Sequence, residues 1–160
     1  MRLAIGAVGR MKAGPETELL ERYSDRARKA GKAVGITELA IREIAESRAA
    51  KVQARRDEEA ANLLKNLAPE AFIVCLDESG RALGSEALSR LVQSRLDDGT
   101  SEIGFLIGGP DGHGGAVRQR ASLTLAFGSA TWPHQLVRVM LAEQLYRAVT
   151  ILTGHPYHRA

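Results

Sequence analysis

Apolar residues in this chain fall in short blocks separated by longer mixed segments. Residues 2–8, Arg-Leu-Ala-Ile-Gly-Ala-Val, read as a buried strand. Pro15 and Glu16 open a helix that ends near Gly31, with Leu19, Leu20, Tyr23 and Ala27 on its inner face. Val34 to Leu39 reads as a second strand broken by Gly35, followed by a long charged helix from Ile41 to Leu67. The apolar stripe of that helix is weak until Leu63, so its first half is partly loop. Phe72 to Leu76 is the clearest strand, a continuous apolar run with β-branched residues. Asp77 to Gly80 turns the chain out of it, and Ser85 caps a helix with Leu88, Leu91, Val92 and Leu96 inward, stopped at Gly99. Ile103–Ile107 and Ser122–Phe127 are further strands, with a loop from Gly108 to Gly115 and a short helix from Ala116 to Arg120 between them. Strands alternating with helices, and central strands apolar on both faces, predict one α/β domain over residues 1–160 with a mostly parallel sheet.

The last segment departs from an ordinary amphipathic pattern. Pro133 suits a helix start, Thr131 before it can cap, and Gly154 supplies a stop, so His134 to Leu152 predicts a helix of about five turns. Its apolar residues, among them Leu136, Val139, Met140, Leu145 and Val149, go nearly all the way round. Such a helix is buried on most sides. A second copy packed against it, as a homodimer, is the expectation. His134, Arg138, Glu143, Gln144 and Arg147 must then be paired or face a site.

Composition narrows the class. Hydrophobic residues make up 44% and charged residues 26% of 160, which fits a folded globular protein rather than a disordered one. No apolar run approaches the ~18 residues of a membrane span. The first ten residues have too short an apolar core for a signal peptide. The single cysteine, Cys75, excludes an internal disulfide framework. A cytoplasmic protein is expected. The net charge of +3 is modest, but its distribution is uneven. After Asp111 the only acid is Glu143, against Arg118, Arg120, Arg138, Arg147 and Arg159, and all four histidines lie there too. That basic third suits an anionic partner.

Ligands of parallel α/β sheets gather at the carboxyl ends of the strands. Three such ends stand out: Leu76-Asp77, the glycine-rich Ile107 to Gly112, and Phe127 to Pro133. The middle loop lacks the Gly-Lys-Ser/Thr ending of a phosphate-binding loop, and no G-x-G-x-x-G precedes a long early helix. A loop without its own lysine suits an adenosine-type cofactor held by backbone hydrogen bonds and apolar contact. Cys75, inside an apolar strand, reads as an inert thiol. No Cys or acid flanks His155 and His158, so no metal site is expected. Asp77 and Glu78 read equally as paired carboxylates or turn residues, and Glu143 with Arg147 as a helix pair. Trp132 suits stacking on a base or cofactor and equally an interface plug.

Three motifs coincide in order and spacing: Leu76-Asp-Glu-Ser-Gly80, Leu106-Ile-Gly-Gly-Pro-Asp-Gly112, and Thr131-Trp-Pro-His-Gln-Leu-Val-Arg138 with Glu143 to Ala148 and Pro156-Tyr-His158. Together they resemble the bacterial ribosomal RNA large subunit methyltransferase H family, of the SPOUT class. The resemblance covers essentially the whole chain. It implies a SPOUT-type α/β knot, with a C-terminal trefoil knot over roughly residues 72–160, and a homodimer as the active unit. General topology rules alone argue against a knot. It implies S-adenosylmethionine as cofactor and methylation of ring nitrogen three of a pseudouridine in 23S ribosomal RNA of assembled ribosomes. Neither DNA nor a membrane is implied as a partner. Carried over by motif, the cofactor contacts are Leu76, Gly108, Gly109 and the backbone of Phe127, Gly128, Ser129, Ala130, Thr131, Trp132 and Pro133. The family usually has an aliphatic residue at the Trp132 position. His134, Arg138, Arg147, Tyr157 and His158 fall at positions suited to RNA contact or proton handling. A transfer-RNA methyltransferase and a non-catalytic ribosome-binding module are the competing readings.

Overall fold

In the computed structural model, which describes residues 1–158, the first strand forms as read: β1 spans Arg2–Val8. The helix α1 follows at Pro15–Gly31, then β2 at Glu38–Ile44 and α2 at Val52–Lys65. Next come β3 (Phe72–Ala82), α3 (Ser85–Asp97), β4 (Glu102–Ile107), α4 (Gly115–Arg120), β5 (Leu123–Ala126) and α5 (His134–Leu152). The strands pair in the order β2-β1-β4-β3-β5, every pair parallel. All five chain exits therefore lie at one edge of the sheet. Arg159, counted in the basic third, lies outside the described residues.

Side chains alternate across the strands as the period of two requires. Leu3, Ile5, Val74 and Phe105 enter the larger core, together with Leu20 of α1, Leu88 and Val92 of α3, and Leu141 and Leu145 of α5. Ile73, Cys75 and Leu106 face the other way, onto Leu63 of α2 and Val117 of α4. Helices cover both faces. Burial pushes the Cys75 thiol up to about 11, which keeps it protonated and unreactive near neutrality.

Several boundaries differ from the sequence reading. The second strand is Glu38–Ile44, not Val34 to Leu39. Gly35 takes a left-handed φ of 83° that closes a short 3-10 turn at Lys32–Val34, and the strand starts only after it. Residues 41–44, read as helix, belong to that strand. Their charges find distant partners: Arg42 pairs with Glu102 at 2.9 Å, and Glu43 with Arg138 at 2.7 Å. Leu19 is 36% exposed and does not join the inner face of α1. Neither predicted cap forms. Ser85 Oγ donates to Gln144 Oε1, and Thr131 Oγ1 donates to Glu78 Oε2.

Asp77 to Gly80 is not a turn out of the sheet. Leu76 and Arg81 both pair with Leu125, so residues 77–80 bulge out and the strand resumes. A side chain at Gly80 would meet the Leu125 backbone at 2.7 Å. The bulge therefore lies directly across β5. On α5, Leu141, Ala142, Leu145, Ala148 and Val149 are buried against the protein's own core. Leu136 is 39% exposed, and Val137, Met140, Ile151 and Leu152 are only half-buried. The apolar residues predicted all round are thus there, but one side of the helix is left uncovered in a single copy.

Candidate functional site

The exits of β3, β4 and β5 enclose a cavity of about 430 Å³. Its walls are three loops that the chain order makes neighbours. The first follows Leu76. The second, Gly108 to His113, folds back on itself: Gly112 donates its N–H to the Gly109 carbonyl at 2.9 Å, with a left-handed φ of 81° at Gly112. The other two glycines serve packing. A Cβ at Gly108 would lie 3.1 Å from the Gly112 backbone, and one at Gly109 would lie 2.9 Å from Val8. Helix α2 grips this loop from outside. Arg55 makes a bidentate pair with Asp111 at 2.6 and 3.2 Å, and Arg56 donates to the Asp111 carbonyl. The hydrogen bond from Arg55 holds the Asp111 carboxyl below its ordinary range.

The third wall is Phe127 to Pro133. Gly128 turns it with a φ of 89°, and Trp132 Nε1 donates to the Phe127 carbonyl at 3.1 Å. The indole is folded back over its own loop while still 42% exposed. Of the expected cofactor contacts, Leu76, Gly108 and Gly109 line the cavity, and so do Phe127, Gly128, Ala130, Thr131 and Trp132. Ser129 and Pro133 do not, and both are exposed.

Two lining residues, His113 and Arg118, were given no site role by the sequence, and Asp77, read equally as a paired carboxylate or a turn residue, joins them at the cavity wall. His113 is 5% exposed and places Nε2 3.1 Å from the Leu76 carbonyl. A carbonyl only accepts, so Nε2 carries the proton and donates. Burial lowers the His113 pKa, the Leu76 carbonyl and Asp77 opposing, so the ring is neutral at pH 7. Arg118 bridges Asp77 at 2.8 Å. Burial raises the Asp77 carboxyl, but hydrogen bonds from Ser79 and the charge of Arg118 outweigh it, so it ionises more readily than usual. The one available signal was histidine beside a glycine-rich strand exit. The partner carbonyl lies 37 positions away.

The cavity tests well against an adenosine-type cofactor. It is backed by strand ends and lined by glycine backbone and apolar side chains, together with a nearly equal share of polar surface. Its polar side chains Asp77, His113 and Arg118 are fixed by hydrogen bonds. No three His, Cys, Asp or Glu residues cluster in metal-binding fashion among the described residues.

The five residues expected to handle RNA or protons do not converge. His134 is exposed at the cavity wall. Arg138, one turn on, is buried: it donates to Glu43 at 2.7 Å and to the Val8 carbonyl at 2.6 Å. Burial lowers its pKa, opposed by Glu43, but a guanidinium remains charged. It binds at the exits of β1 and β2 and does not line the cleft. Arg147 and Tyr157 meet at Glu143, whose Oε1 accepts from Arg147 at 2.6 Å and from the Tyr157 hydroxyl at 3.0 Å. The Tyr157 ring also packs on Tyr146 at 4.5 Å. Burial, then hydrogen bonds with Tyr23 and Glu143, hold the Tyr157 phenol above its ordinary value. His158 is half-buried, next to Tyr157. Thirteen residues of helix separate His134 from Arg147, or about 20 Å at 1.5 Å per residue. One copy cannot bring both to the same atom. Glu143 lines instead a second, largely apolar cavity of about 500 Å³, with Tyr23, Leu83, Val139 and Met140. Leu125 to Gly128 is the wall between the two cavities.

Comparison with known proteins identifies the family. The family described as "Predicted SPOUT methyltransferase" matches residues 1–158. A protein of Rhizobium johnstonii named "Ribosomal RNA large subunit methyltransferase H" is 54% identical over 159 residues, 99% of each chain. A protein of the same name from Brucella anthropi is 52% identical over 160 residues, 100% of each chain. Another, from Rhizobium meliloti, is 54% identical over the full length of both. Among solved structures, the SpoU methyltransferase AviRb from Streptomyces viridochromogenes, in complex with AdoMet, aligns at a TM-score of 0.41 and 11% identity, covering 96% of this chain and 61% of that one.

Proposed function

This chain belongs to the SPOUT methyltransferases, together with the ribosomal RNA large subunit methyltransferase H proteins, and from that premise we propose that it methylates large-subunit ribosomal RNA with S-adenosylmethionine. The observation that carries the reading is the cavity at the exits of β3, β4 and β5, walled by the three loops in which the resemblance motifs lie. We infer further that the acceptor is ring nitrogen three of a 23S pseudouridine on assembled ribosomes, and that the protein acts in the cytoplasm. Among the described residues no helix is long and apolar enough to cross a membrane. A single functional unit over residues 1–160 is part of the same reading.

When bound, S-adenosylmethionine supplies a methyl group already activated by its sulfonium. The residues therefore have positioning work to do. Leu76, Gly108 and Phe127 to Thr131 offer backbone groups and apolar walls to the adenosine part. His113 pins the Leu76 carbonyl, and Arg55 and Arg56 pin the glycine loop. The acceptor nitrogen must lose a proton, which calls for a base or for a cation beside the developing anion. His134 stands at the cleft wall for the first role. Arg147, Tyr157 and His158 lie at the far end of α5, so the reading requires the tail of a second copy to reach this cleft. The half-covered side of α5 supports that homodimer. The Gly80 bulge crossing β5 is the feature that supports a C-terminal trefoil knot.

Labelled methyl transfer, with ribosomal subunits and transfer RNA as rival acceptors, tests the proposal. Labelling of subunits alone is expected. Labelling of transfer RNA alone moves the protein to another substrate, and cofactor binding with no transfer to either makes it a binding module.

A further inference from the structure

We propose that Arg10, Lys12, Arg48 and Lys51 form a phosphate-binding rim on which the RNA backbone docks beside the cofactor cleft. The inference rests on the reading of the protein as an RNA methyltransferase and adds where the RNA lies. Because every strand is parallel, the loops after β1 and β2 leave the sheet at the same edge as the cleft loops. Residues 9–14 carry Arg10 and Lys12, and residues 45–51 carry Arg48 and Lys51. All four side chains are exposed, and none is in an ion pair among the described residues.

The two loops are held, not loose. Gly9 donates its N–H to the Ile44 carbonyl at 2.8 Å, and the Met11 N–H reaches Glu43 at 3.1 Å. Arg138 clamps the Val8 carbonyl and Glu43 from below. Arg55 donates to the carbonyls of Ala49 and Ala50, fixing the second loop. The same Arg55 grips Asp111, and Arg56 both holds that residue and lines the cavity. The rim and the cleft are therefore one connected surface.

Several of the nearby acids are hydrogen-bonded within the protein, while Glu16, Glu18 and Glu46 are in no ion pair among the described residues. Glu43 is held by Arg138, Asp111 by Arg55, and Glu58 and Glu59 by Ser47. Glu46 leans toward Gly9 and Arg138. Four cations are left without neutralising partners, which favours an anionic surface laid across them. Neither loop contains an aromatic residue, so neither offers a ring for a base to stack on. Backbone phosphate, recognised without regard to sequence, is the chemistry that fits. Sequence choice is left to the cleft.

The test replaces all four by glutamine: Arg10→Gln, Lys12→Gln, Arg48→Gln and Lys51→Gln together. A control of equal charge change alters exposed cations elsewhere: Arg22→Gln, Lys29→Gln, Lys32→Gln and Arg90→Gln. Binding to deproteinised large-subunit RNA is measured against salt, and methyl transfer against intact subunits. With ~0.7 counterions released per single-stranded phosphate, the rim variant should lower the salt slope by about 3. Its KM for subunits should rise at least about tenfold by the same loss of contacts, while kcat and cofactor affinity stay at wild-type values. The control should match wild type. An unchanged slope and KM in the rim variant, beside an active wild type, overturns the rim alone. A raised KM on subunits with no change on free RNA also overturns it, and points to an acidic ribosomal protein. A wild-type protein that neither binds nor methylates the RNA removes the reading beneath it and the rim with it.

Discussion

Arg138 gives the sharpest stability prediction. Replacing it with Met keeps a flexible stem of similar volume and removes the guanidinium. The side chain is 3% exposed and makes two hydrogen bonds, to Glu43 at 2.7 Å and to the Val8 carbonyl at 2.6 Å. The Val8 carbonyl loses its side-chain donor, and an orphaned buried polar group costs about 1–3 kcal/mol. Breaking a fully buried ion pair costs about 3–5 kcal/mol. Glu43 is 26% exposed and keeps the Met11 N–H, so water recovers much of that. The guanidinium Nε has no partner of its own, which offsets a further part. The net loss should be about 3 kcal/mol. For a chain of this size that is a Tm drop of roughly 6–12 °C. Scanning calorimetry with urea midpoints, at one fixed protein concentration, checks it. Arg138→Lys should fall between, because an ammonium cannot span both acceptors as a planar fork does. A loss below about 1 kcal/mol in Arg138→Met would refute the clamp and return Arg138 to a role outside folding.

Three further outcomes follow from the same geometry. His113 titrates below its ordinary value when folded, so its contribution is complete above about pH 6.5 and is lost as pH falls below that; wild-type urea midpoints should fall between pH 7 and 5 more steeply than those of His113→Leu, and parallel slopes would contradict this. Gly80→Ala forces a methyl against the Leu125 backbone, and should cost about 1–3 kcal/mol by overpacking, which thermal unfolding would detect; an unchanged Tm would remove the close crossing over β5. His158→Ala should leave cofactor affinity by calorimetry nearly intact while slowing methyl transfer, and equal loss of both would end its proposed part in proton handling.

The ends of α5 were legible because proline and glycine bracket it: the helix runs His134–Leu152, as the sequence predicts. The strand exits were legible too, since glycine clusters interrupt apolar runs there. The second strand was hidden because Arg42 and Glu43 break its alternation, and their partners Glu102 and Arg138 come from other elements. The bulge at residues 77–80 was read as a turn because its glycine and acids suit either. Only the second pairing with Leu125 decides between them. Of the site, eight of the ten expected cofactor contacts line the cleft, because loop motifs place backbone. Asp77 was legible as a strand-end carboxylate, but its partner Arg118 and the nearby His113 were missed because their bonds join residues far apart along the chain. Likewise, nothing in the spacing of Arg138 tells that its head is buried against β1.

The central claim is that this cleft modifies large-subunit ribosomal RNA at a pseudouridine. Mass spectrometry of 23S RNA from a strain lacking the protein tests it most directly. The prediction is one pseudouridine-containing fragment lighter by a single methyl group, restored when the protein is supplied again. Identical fragment masses with and without the protein would contradict it.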